Sequence, residues 1–586
     1  MKRFLALFAT IITIVAPVTA DAANPPSNKT SAEANCVWGT KPGVANLASY
    51  VTIYSSAGEW RLANPPTGEC NMAIAYLPTL RGIGSSSLVA YSSNSWSPDR
   101  KSASCTNGDD PVCDASKWSI MWNQSAFYKC KSATDLNCVQ DFAITDPNGM
   151  QITPTYVKSF PDDTVRPAFD GSVIKYPAGG NPSIWSFNTP SGEVKVLING
   201  WFEMAWDSKG GKWTERPGNS FQLFILPIKE TPIPQDIVAT PCFGLDKTTC
   251  LKLEPSLPAG FTFKVSLNLS DNATMFLNGR LDKPVAYTET IPGGHRFTIE
   301  AATSPALSVA QWIPKSAIPL SVIDLVALKT TGTWYRDTLN WSNSEFNMSG
   351  GVEGGVDLFD AMLPYIGDKA SFVQYVWGLT NNPSSDRYDQ KCRDQSRGEI
   401  LGIVSTNATA YRGDPPTYNK STLALEYEVS APHFLPDGKT PAVGRYSINM
   451  NAKFLQCIIG VAQVPSSVTV GLSYRSGESN ITTLLVKQDK DWLRVALDNF
   501  HFSSPKISIK FNVPAPAPET SSTETPAPVP SASAVPQSQN PQAPSATTPN
   551  KVSAPKLKTI YCLRGKTLKK ITAGNPKCPS GYTLKK

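Results

Sequence analysis

The chain has 586 residues, of which 41% are hydrophobic and only 17% charged, with a net charge of +7, fifty prolines and thirty-nine glycines. That length suits about three or four domains of ordinary size. Proline removes an N–H and fixes φ, so this density opposes long helices. After the first residues no apolar run approaches the roughly 20 residues of a transmembrane helix.

Met1-Lys2-Arg3, the apolar run 4–15 and the small residues 16–23 read as a secretory signal peptide, with cleavage sites after Ala20 and Ala22. Residues 1–22 are therefore expected to be removed. The mature chain is expected to be secreted or held at the cell surface, without a transmembrane helix.

From 23 to 240 the sequence reads as a β-rich, cysteine-containing region. Val, Ile, Thr, Tyr, Phe and Trp fill short runs between Gly, Pro and Ser breaks. The segment KWSIMWNQSAFYK (117–129) reads equally as a short helix or a loop, since Trp118, Trp122 and Phe127 stand near helical spacing. WFEMAWDSKGGKWTER (201–216) reads as a hairpin around a turn of Asp, Ser and Gly. Trp201 and Trp213 are expected on its opposite strands. With Trp206 they form a candidate glycan-stacking surface, although alternating strands also use aromatics as core.

Residues 241–380 read as a β domain and 381–512 as a β-sandwich domain. Each carries one copy of a similar stretch: SLNLSDNATMFLNGRLDKP (266–284) and SINMNAKFLQCIIGVAQVP (447–465). Ser266, Asn268, Gly279 and Pro284 match Ser447, Asn449, Gly460 and Pro465. The shared shape predicts one β-hairpin unit used twice. Helices are expected at 319–328 and 356–365. The fold class is mainly β: two or more disulfide-stapled, sandwich-like domains.

Residues 513–556 are rich in Pro, Ala and Ser and have almost nothing to bury, so a disordered linker is expected. Residues 557–586 form a small basic module. From Lys551 onward there are ten Lys or Arg and no Asp or Glu, which leaves the body net acidic. Lys566, Lys569, Lys570, Lys577, Lys585 and Lys586 are the candidate contacts to an anionic surface.

The twelve cysteines pair by nearest neighbour as Cys36/Cys70, Cys105/Cys113, Cys130/Cys138, Cys242/Cys250, Cys392/Cys457 and Cys562/Cys578. Connectivity is not deducible from sequence. With no CxxC and three histidines, structural disulfides are expected in place of a metal site.

The second half resembles uncharacterised secreted actinobacterial proteins that end in a basic two-cysteine cap. The residues that carry this are Cys392, GIVSTNATAYRGDPP (402–416), APHFLPDGK (431–439), YSINMNAKFLQCIIG (446–460), LDNFHFSSPKISIKF (497–511), FLNGRLDKP (276–284) and the closing NPKCPSGY. The resemblance implies export and a β architecture and carries over no catalytic residues.

HExxH, GxSxG, phosphate-loop and dinucleotide motifs are absent. His295, His433 and His501 stand apart in sequence. Nothing in sequence pairs Glu203, Asp207, Asp357 and Asp360 for glycoside hydrolysis. Asp109, Asp110 and Asp114 read as a solvated turn, lacking EF-hand spacing. No catalytic residue, metal or cofactor is expected, and nucleic acid is not an expected partner. The expectation is an exported, envelope-associated, non-enzymatic β protein that contacts anionic wall polymers or glycans; the alternative is an extracellular enzyme on carbohydrate or peptidoglycan.

Overall fold

The computed structural model describes most of residues 82–511, short strands between 51 and 76, the strand Trp341–Ser342, and three strands between 558 and 584. Residues 1–50, most of 315–354 and 512–557 lie outside the described residues. The signal peptide, the linker, nearly all of the helix expected at 319–328 and Cys36 fall there, and Cys70 and Cys578 are likewise outside the described residues. The chain divides into one unit to Pro514 and a second from Ala515.

The first unit is mainly β, as the Pro and Gly spacing requires. The 117–129 segment is neither helix nor loop. Ile120–Ala126 is a strand between Ser87–Tyr91 and the long strand Gly192–Asp207. Ladders on both edges take its backbone groups, and that pairing overrides the local aromatic spacing.

Gly192–Asp207 forms its long antiparallel ladder with Ser220–Pro232. Thr214–Glu215 pairs with Trp206 and Asp207. The expected hairpin is therefore confined to its tip. Trp201 stands opposite Gln222 and Ala126, and not opposite Trp213.

Strands bridge both expected internal boundaries. Across 240, Ser220–Pro232 pairs with Thr249–Leu253 and Phe372–Thr380, and Thr262–Ser270 pairs with Cys138–Thr145. Across 380, Met275–Ile291 pairs in parallel with Ile400–Thr406. The result is one hydrogen-bonded network over two large cores. One core includes Phe142, Trp206, Phe263 and Trp377, and the other Tyr427, Phe454, Phe500 and Phe511.

The two similar stretches share their first half only. Thr262–Ser270 is the central strand between Cys138–Thr145 and Gly294–Pro314. Val443–Asn451 is likewise central between Ile400–Thr406 and Trp492–His501. After that they diverge. The first copy continues as the strand Met275–Ile291, whereas the second turns into the helix Ala452–Ile459. Asn451 caps this helix by accepting from the Phe454 N–H, and Gly460 closes it at φ 72°. Ala-Lys-Phe-Leu in the second copy favours a helix, where the first has the turn-forming Asp-Asn-Ala-Thr. The aligned Gly279 serves another purpose: a Cβ there would lie 2.6 Å from the Gly378 carbonyl oxygen.

Four expected disulfides are present: Cys105–Cys113, Cys130–Cys138, Cys242–Cys250 and Cys392–Cys457. The last joins two helices, Gln390–Gln395 and Ala452–Ile459, whereas the expected hairpin unit would set Cys457 in a strand. The expected helix at 356–365 is found as Gly355–Met362 with the short turn Leu363–Tyr365.

The second unit contains a three-stranded antiparallel sheet in which Lys558–Arg564 is flanked by Thr567–Ala573 and Thr583–Leu584. Cys562 lies on its central strand.

Candidate functional site

The strand Met275–Ile291 changes partners along its length, and this opens a cleft. Around Gly279 it runs between Phe372–Thr380 and Ile400–Thr406. From Val285 to Ile291 it pairs with the Gly294–Glu300 part of the following strand. That partner is taken up at Leu281, and at Lys283-Pro284 the register slips and Lys283 takes a φ of 50°. Proline offers no N–H to a ladder, and a bulge bends the strand that carries it. Beyond the bend, residues 283–289 wall a cleft of about 720 Å³ over the sheet face made by Val443–Asn451, Trp492–His501 and Leu484–Asp489.

Period-2 alternation assigns the floor. Ile448, Met450, Leu493 and Leu497 pack into the second core. Ser447, Asn449, Trp492, Arg494, Ala496 and Asp498 line the cleft. Strand register sets Asn449 opposite Arg494, and Arg494 opposite Lys487. An amide and two cations thus form one row across three strands. Arg494 Nη2 also donates to the Ala286 carbonyl oxygen at 2.9 Å, which ties floor to wall.

Two buried polar atoms of this lining have no protein partner. Asn449 is 1% exposed and Trp492 is 2% exposed, and neither Asn449 Oδ1 nor Trp492 Nε1 is hydrogen-bonded. More than nine in ten buried polar groups in native structures are paired. Two further clefts of about 760 and 800 Å³ lie beside Glu230 and beside the Cys392–Cys457 bridge. No such atom lines either of them among the described residues.

Carboxylates mark the ends of the cleft. At one end Lys283 Nζ lies 3.7 Å from Asp498, which stands opposite Arg445 in the sheet. Arg445 is ion-paired to Asp282. Burial pushes the Asp282 carboxyl above its ordinary range, against the opposing pull of Arg445 and Lys283. At the other end stand Asp491 and Glu289, the latter 3.7 Å from Arg296. Among the described residues no histidine or cysteine lines the cleft. Among the described residues no group of three or more His, Cys, Asp or Glu is arranged to hold a metal ion. The arrangement suits a polar ligand held by hydrogen bonds and charge.

The three tryptophans singled out from sequence are elsewhere. Trp201 is 7% exposed, Trp206 4% and Trp213 6%. Trp206 and Trp213 belong to the first core, and Trp213 Nε1 donates to the Cys113 carbonyl oxygen at 3.2 Å. Buried on all sides, these indoles have no face to stack on a sugar, which corrects the expectation of a glycan-binding hairpin. Lys569 and Lys570 lie on the Thr567–Ala573 strand of the second unit. Their side chains, with Lys566, Lys577, Lys585 and Lys586, lie outside the described residues.

Asp110 accepts from the Thr106 and Val112 N–H groups, and Asp114 from the Ser116 N–H, as Asx turns do. The backbone hydrogen bond from Thr106, with that from Val112, holds the exposed Asp110 carboxyl below its usual range. Glu203 and Asp207 sit on the long strand, whereas Asp357 and Asp360 sit on the helix Gly355–Met362. His433 Nδ1 lies 2.7 Å from Asp368, which also accepts the His433 backbone N–H, so this pair stitches two loops together.

Of the cleft residues, Pro284, Ser447 and Asn449 carried a signal in the sequence, as matched positions of the two similar stretches. Lys487, Trp492 and Arg494 carried none, since strand register decides what they face. No protein-family model matches the chain, and no curated protein is found to be similar to it.

Proposed function

We propose that the protein is an exported, non-enzymatic, envelope-associated β protein of sandwich-like domains, and that it binds a polar ligand in the cleft between residues 283–289 and the Trp492–His501 sheet face. The observation that carries this reading is the pair of buried, unpartnered polar atoms, Asn449 Oδ1 and Trp492 Nε1, in one cleft lining. An unmade buried hydrogen bond costs about 1–3 kcal/mol, and a ligand hydroxyl would relieve it. Isothermal titration of the mature chain with wall-derived oligosaccharides tests the reading. Binding that Asn449→Leu and Trp492→Phe both weaken is expected; binding indifferent to both would discard the cleft.

The envelope part rests on the signal-peptide pattern and on the ten basic residues from Lys551. Deleting residues 551–586 is expected to shift the protein from the envelope to the medium. A truncated form that fractionates like the full chain would remove this part of the proposal.

The second reading is an extracellular enzyme on carbohydrate or peptidoglycan. It is favoured by Glu289 and Asp491, which stand at the same end of this cleft, since glycoside hydrolysis uses two carboxylates across the bond. Release of reducing ends that Glu289→Gln or Asp491→Asn abolishes would select this reading over the first.

A further inference from the structure

The two similar stretches carry the same cross-strand pair in two different states. In the first copy Asn268 stands opposite Arg296, and Arg296 Nε donates to Asn268 Oδ1 at 3.0 Å. The Asn268 amide nitrogen also donates to the carbonyl oxygens of Ala133 and Asp135 and to Gln140. That pair is closed. In the second copy the matching Asn449 stands opposite Arg494, but Arg494 Nη2 reaches to Ala286 and Asn449 Oδ1 has no partner. That pair is open, and it lines the cleft.

A second feature sits beside it. Lys487 is directly opposite Arg494 on the next strand and also lines the cleft. An anion seated between these two cations would accept a charge-assisted contact from each. Beside it, Trp492 Nε1 offers a donor and Asn449 Oδ1 an acceptor, a pattern that matches vicinal hydroxyl or ring oxygens.

We infer that the cleft is specific for an anionic saccharide, whose carboxylate or phosphate lies between Lys487 and Arg494 and whose hydroxyls meet Asn449 Oδ1 and Trp492 Nε1. The inference rests on the cleft being the binding site. It adds the charge and class of the ligand.

Isothermal titration of the mature chain tests it with four probes: trigalacturonate, its methyl ester, and maltotriose with and without a terminal phosphate. At least one acid is expected to bind roughly tenfold or more tightly than its neutral counterpart, with affinity that falls as salt rises. The preferred acid tells carboxylate from phosphate. Lys487→Ala is expected to weaken the acid about tenfold and leave the neutral probe unchanged. Lys487→Arg is expected to retain binding. Lys487 is exposed, so these variants keep the fold, which the thermal midpoint checks. Acid and neutral probes binding alike, with loss in Trp492→Phe, would overturn the anionic inference and leave the cleft standing. No binding by any probe to folded protein would overturn both.

Discussion

Arg280 offers a sharp test of what holds the two halves of the first unit together. It is 1% exposed, on the strand Met275–Ile291. Its guanidinium donates from Nη1 to the Ala408 carbonyl oxygen and from Nη2 to that of Thr409, the latter at 3.0 Å, and lies 5.1 Å from the centroid of the Tyr411 ring. Two charge-assisted hydrogen bonds contribute about 3–6 kcal/mol and the ring contact roughly 0.5–2 kcal/mol. Against them stands the cost of burying the cation, several kcal/mol, which also pulls its pKa down. Arg280→Met fills similar space and removes that cost, but it leaves two buried carbonyls without donors at about 1–3 kcal/mol each. The balance predicts a loss of about 2–4 kcal/mol for Met. Arg280→Ala adds a cavity and is expected to lose about 2 kcal/mol more. Guanidinium unfolding of the body, followed by tryptophan fluorescence with disulfides intact, measures both. If Arg280→Met is as stable as the parent, the charge costs as much as its hydrogen bonds return, and the reasoning fails.

Three other outcomes follow from the same structure. Glu230 is pulled upward by burial and, more strongly, downward by hydrogen bonds from Lys158 and Lys195 at 2.8 and 2.7 Å. Its carboxyl therefore lies below its ordinary value, and its contribution to stability is present above about pH 4.5 and lost as pH falls. Glu230→Gln should lower the thermal midpoint at pH 7, by a gap that narrows as pH falls below about 4.5; an equal gap at pH 7 and pH 3 would contradict this. Gly279→Ala should cost several times more than Gly460→Ala, because the first meets the Gly378 carbonyl at 2.6 Å, while the second meets nothing and bears only about 1–2 kcal/mol of left-handed strain. Equal midpoints of chemical unfolding would show that the Gly378 strand gives way. Removing the Cys392–Cys457 bridge, which spans 65 residues, should cost about 4 kcal/mol, against about 2–3 kcal/mol for Cys130–Cys138, which spans 8. The reverse order of unfolding midpoints would rule out the loop-entropy account.

The sequence by itself determined the β class and pointed to three cysteine pairings and the short helix Gly355–Met362. Each rests on local chemistry: proline and glycine spacing, cysteines eight residues apart, and a run with helical period. It also showed that two stretches share Ser, Asn, Gly and Pro at matching places. Only the tertiary structure decided what those residues do. Gly279 is a close-approach site in a strand, whereas Gly460 ends a helix, because ladders on both sides hold the first copy extended and the Asn451 cap starts a helix in the second. The tryptophans of 201–213 could be read as a surface or as core and are buried, since alternation tells which side chains share a face and not which face meets water. The cleft was illegible for the same reason. Asn449, Arg494 and Lys487 meet only through the register of three strands, and a bulge at Lys283-Pro284 places the wall above them.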